Sequence, residues 1–184
     1  MDLFVGLHAA AALLLLAAGL AKIVRPAPTT DLMATLGVPA RPALTIAIGM
    51  VEVGVGVLAL AIGGPVFAGA TGALYAGFVI VVLRALSAGA TSCGCFGRVD
   101  APPSWVHVVG NAAFAAVSFV AIVGDAVVDV MDRQPAGGVG FVLLVGVVAG
   151  LSLVAFTALP EALGSRRGAV AAVPTFTIDL EDRP

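Results

Sequence analysis

Apolar residues run along this chain in long uninterrupted blocks, and five of them reach the about 20 residues a helix needs to cross a bilayer. They cover residues 3–24, 43–62, 66–86, 105–123 and 139–159. Each block ends at helix breakers: Arg25-Pro26-Ala27-Pro28, Pro39 to Pro42, Gly63-Gly64-Pro65, Ala101-Pro102-Pro103 and Gln134-Pro135-Ala136-Gly137-Gly138. The pattern predicts an all-α integral membrane protein, a helical bundle of five transmembrane helices. Residues 1–163 form a single bundle domain, and 164–184 form a short polar tail. Within that tail Val173 to Ile178 alternates like a strand, although a frayed terminus suits so short a segment better. The first block lacks the basic start of a signal peptide and carries Lys22 where a cleavage site would fall, so it reads as a retained helix.

Composition supports the membrane reading. Sixty per cent of residues are hydrophobic and 11% are charged, against about 25% charged in ordinary soluble domains, and mean hydropathy is +1.13. Nine Lys and Arg against 11 Asp and Glu give a net charge of -2, which leaves no basic surface for nucleic acid. The small residues of the spans, Gly146 and Gly150 among them, permit close helix approach and carry only a weak signal for a homo-oligomer.

With five spans, the 22–41 connection, the segment around residue 95 and the tail share one side. Lys22, Arg25, Arg41, Arg84, Arg98, Arg166, Arg167 and Arg183 all fall there, and only Arg133 falls opposite, beside Asp125, Asp129 and Asp132. The positive-inside rule therefore places that side in the cytoplasm of a cell-membrane protein.

That side also carries the two cysteines, in Thr91-Ser92-Cys93-Gly94-Cys95-Phe96-Gly97-Arg98. Bridging needs Cα atoms about 4.4–6.8 Å apart, within reach of a turn whose central Gly94 accepts unusual backbone angles. A disulfide closed over so short a loop is strained, and strained exposed disulfides are the exchange-competent kind. Arg84, Arg98 or a protonated His107 nearby lowers a thiol pKa. The plain alternative is two neighbouring free thiols.

Glu52 is the second signal, because a carboxylate near mid-membrane costs about 2.5–3.5 kcal/mol even on lenient scales. At about 1.5 Å per residue, Glu52 lies roughly 13 Å from the cysteine-side end of its helix and Asn111 roughly 12 Å, a common depth that would allow a hydrogen bond between them. His107 lies one turn above Asn111, and Lys22 and Arg84 lie at the cysteine-side ends of their helices. Four helices thus send polar groups into one half of the membrane, beneath the thiols. Taken singly, Lys22 and Arg84 suit snorkelling to headgroups, His107 the interface beside Trp105, and Asn111 a packing hydrogen bond. A protonated Glu52 relays a proton to or from a thiolate. His8, in the opposite half, joins none of these groups.

The series Gly19-Leu20-Ala21-Lys22, Val51-Glu52-Val53-Gly54, Arg84, Cys93-Gly94-Cys95-Phe96-Gly97 and Gly110-Asn111 resembles the MauE family, the membrane proteins of methylamine utilisation and their MauE/DoxX relatives. The resemblance spans roughly residues 3–123, with Cys-Gly-Cys-Phe-Gly its specific part. It implies a four-helix core similar in plan to DsbB and vitamin K epoxide reductase, plus one helix. It also implies a thiol-disulfide oxidoreductase that supports maturation of disulfide-containing exported proteins beside a thioredoxin-like, MauD-like partner. Cys93 and Cys95 would then be the redox pair, with Lys22, Glu52, Arg84 and Asn111 as the polar set around it; the residues themselves add Glu52 to the catalytic set as proton relay, and Arg98 and His107 to the support. That role favours an extracytoplasmic loop, opposite to the charge count. No cofactor is expected: a quinone-linked oxidase of the DsbB type uses two cysteine pairs, and this chain has one. Membrane lipid is the other partner. Two further readings are a carrier of a thiophilic metal ion held by Cys93, Cys95 and His107, and a non-catalytic anchor subunit of a redox complex.

Overall fold

The computed structural model describes residues 2–92, 102–124 and 135–171. Among these residues six helices follow in order: α1 (Asp2–Val24), α2 (Ala27–Thr35), α3 (Pro42–Ala61), α4 (Pro65–Ser87), α5 (Trp105–Val120), which ends in a 3₁₀ turn at Ala121–Val123, and α6 (Pro135–Ala171). All but α2 contain a stretch long and apolar enough to cross a membrane, and the ends of those stretches match the sequence expectation to within three residues. The chain is an all-α, multi-pass membrane protein, with no strand among the described residues.

Helix starts follow local chemistry. Pro42 and Pro65 open α3 and α4, where a fixed φ suits the first turn and the missing N–H costs nothing. Between α3 and α4 the chain reverses through Gly63 and Gly64 at φ 68° and 85°, a left-handed conformation that side chains resist.

Helices α1, α3, α4 and α5 form a ring in which each packs on the next, and α6 lies outside against α1 and α5. The most enclosed span is that of α1, 56% buried against 11% for α6. Its run Ala9 to Ala12 is fully covered, because methyl side chains let neighbouring backbones approach. Outward positions such as Leu58, Ile80, Val109, Leu143 and Leu151 are exposed and apolar, as a lipid-facing surface requires.

Two elements differ from the sequence expectation. The 22–41 connection contains α2, because Pro26 and Pro28 occupy the cap and first turn, which proline tolerates. Leu32 and Met33 turn inward, and the Thr30 and Thr45 hydroxyls meet at 2.9 Å, tying α2 to α3. Helix α6 continues through Pro160 to Ala171, so residues 164–171 extend a helix instead of beginning a tail. The strand-like stretch 173–178 lies outside the described residues.

Candidate functional site

The site starts where α1 and α3 come closest. A Cβ on Gly19 would stand 2.6 Å from the Gly49 carbonyl oxygen and 2.9 Å from Glu52 Cβ, so only bare glycine backbone fits this crossing. One turn beyond Gly19 is Lys22, and one turn beyond Gly49 is Glu52. The Lys22 ammonium donates to Glu52 Oε2 at 2.9 Å, with side chains 6% and 0% exposed. From α4 the ring of Phe78 lies 5.4 Å from Lys22 Nζ, an attractive placement for a cation over an aromatic face.

Beside the pair is a cavity of about 20 Å³, bounded by Lys22, Tyr75, Phe78, His107, Asn111 and Phe156 over an aliphatic wall of Leu14, Leu15 and Ala18. His107, 2% exposed, stacks on Phe156 with ring centres 5.6 Å apart and planes inclined by 13°. Its Nδ1 lies 2.9 Å from the hydroxyl of Ser104, the residue that caps α5. Its Nε2 and Glu52 Oε1 are buried without a hydrogen-bond partner.

Four expected residues therefore come together: Lys22, Glu52, His107 and Asn111. Glu52 and Asn111, level in depth, do not hydrogen-bond to each other. Helices α3 and α5 stand diagonally across the ring, and Lys22 of α1 reaches the carboxylate instead. Arg84 stays outside the cavity and is exposed, because the inward face of α4 there carries Val82 and Ala85, and a two-residue offset turns a helical side chain by about 200°. Lys22 does not snorkel, so it no longer counts towards the charge asymmetry. Cys93, Cys95 and Arg98 lie outside the described residues. Among the described residues, no three His, Cys, Asp or Glu side chains gather where they could hold a metal ion.

The family model for methylamine utilisation protein MauE matches residues 2–124. The chain belongs to the MauE family. No curated protein and no solved structure matches it. Membership implies a role in methylamine utilisation. The matched MauE region holds the α1–α3–α4–α5 ring with its polar cluster and leaves out the peripheral α6, including Phe156, which α6 lends to the cavity wall.

Sequence reasoning missed one polar pair in this MauE bundle. His8 Nδ1 and Ser118 Oγ, both buried, lie 3.1 Å apart in the half of the membrane away from the ion pair. The signal was present: His107, Asn111, Phe114, Ala115 and Ser118 are spaced as one helical face, and all five are buried. Nearby in depth, the Tyr75 hydroxyl donates to the Ala11 carbonyl at 2.7 Å.

Proposed function

We propose that this MauE-family protein is a membrane thiol-disulfide redox protein. Cys93 and Cys95 exchange electrons with a thioredoxin-like partner and so support maturation of disulfide-containing or cofactor-containing exported proteins. In each exchange a thiolate attacks a disulfide sulfur, one S–S bond forms as another breaks, and the electron pair leaves on the departing sulfur, which takes up a proton.

The observation that carries this reading is the buried Lys22–Glu52 pair beside His107 and Asn111. This cluster lies in the half of the bundle where α4 ends and α5 begins, the end from which the cysteine-bearing segment departs. A buried ionisable pair in a membrane bundle is costly, and such groups ordinarily handle protons or ions.

The test is mixed-disulfide trapping with a thioredoxin-like protein in the membrane. Cys95→Ser leaves Cys93 to form a covalent adduct, and the double serine variant forms none. An adduct with either single variant supports exchange. No adduct, with full function retained in the double variant, overturns it in favour of an anchor subunit. Labelling with a membrane-impermeant maleimide, in intact and permeabilised cells with and without reduction, fixes the face that carries the thiols.

A further inference from the structure

We propose that the cavity beside Lys22 is a water site, and that this water, His107 and Ser104 together form the proton port of the buried Lys22–Glu52 pair. The groups involved are Lys22, Asn111, His107 and Ser104, and their role goes beyond thiol exchange.

A cavity of about 20 Å³ is one-water sized, since a single water needs about 10–15 Å³ of such space and two to four polar partners. Three are at hand. Lys22 carries three N–H donors, of which one is spent on Glu52 Oε2 and another faces the Phe78 ring. The Asn111 side chain borders the same space. The third is His107 Nε2, buried without a partner on a ring that also borders the cavity. Burying such a group unsatisfied costs about 1–3 kcal/mol, and a bridging water removes that cost.

The route outward follows from the imidazole itself. Its two nitrogens diverge: Nδ1 is held 2.9 Å from Ser104 Oγ, and Nε2 is the one left without a hydrogen-bond partner. Ser104 precedes the first residue of α5 and is partly exposed, so its hydroxyl joins the buried ring to the membrane face. A proton arriving at Nδ1 is matched by one leaving from Nε2, which changes the tautomer and conserves charge. The stack on Phe156 holds the ring plane in place during that exchange. On its other sides the cavity is bordered by Phe78 and the aliphatic wall of Leu14, Leu15 and Ala18.

The experiment is magnetisation-transfer NMR on the ¹⁵N-labelled full chain in lipid nanodiscs, reading exchange between water and the Lys22 ammonium. A water cross-peak at both Lys22 Nζ and His107 Nε2 is expected. His107→Phe, which keeps the stack on Phe156, slows Lys22 exchange at least about tenfold. Ser104→Ala slows it severalfold and Ser104→Thr restores it, a rescue that loss of packing would not give. Absence of the cross-peak overturns the water site, and unchanged exchange in Ser104→Ala or in His107→Phe overturns the port. The double Cys93→Ser/Cys95→Ser variant is expected to exchange like the parent, so failure here is separable from failure of the thiol reading.

Discussion

Lys22 and Glu52 form a 2.9 Å ion pair that joins α1 to α3 inside the bundle, with both side chains almost fully shielded. The pair exists because Gly19 and Gly49, one turn earlier on each helix, bring the two backbones into contact. Charge removal and glycine substitution therefore act on the same crossing.

Removing one partner leaves a buried charge uncompensated, a change that costs about 3–5 kcal/mol. Lys22→Met is expected to show a loss of that size in unfolding from detergent micelles. Combined with Glu52→Leu, the loss should be smaller than the sum of the single losses. Additive losses in this double-mutant cycle would show that the two side chains are not coupled.

Glu52→Gln keeps an oxygen that accepts from Lys22 but cannot take up a proton. The expected result is a folded bundle whose thiol-disulfide exchange slows about 100-fold, the usual contribution of a positioned acid or base. Circular dichroism and exchange rates on the same preparation check it. An unchanged rate removes Glu52 from the mechanism.

Gly19→Ala and Gly49→Ala set a methyl group 2.6 Å and 2.7 Å from the opposing carbonyl oxygen. Backbone atoms cannot step aside as a flexible side chain does, so each variant should lose about 1–3 kcal/mol and spread the ion pair. Gly54→Ala is the control, since a Cβ there meets nothing within 4 Å, and it should match the parent in thermal unfolding.

Ser118→Ala leaves His8 Nδ1 buried without its partner. Stability should fall by about 1–3 kcal/mol, while thiol exchange stays at the parental rate because this pair lies in the other half of the membrane. A loss of exchange at constant stability would instead tie His8 to the chemistry.

Sequence alone determined the five spans, because a block of about 20 apolar residues has few other stable environments. It determined the family through Cys93-Gly94-Cys95-Phe96-Gly97 and its neighbours, and it singled out Glu52, Lys22, His107 and Asn111 by the cost of burying them. Helix α2 was hidden because Pro26 and Pro28 break a helix in its interior but not at its start. Partner choice was decided by tertiary structure. Counting depth along each helix placed Glu52 level with Asn111, but depth carries no information about which helices are neighbours. The ring order put α1 between α3 and α5 and left α3 and α5 diagonally opposite each other, which gave Glu52 to Lys22 and joined His8 to Ser118. Rotation about each helix axis is set the same way, by small residues seeking close contact. That is why Lys22 turned inward at the Gly19 crossing and Arg84, two residues past Val82, was left outside.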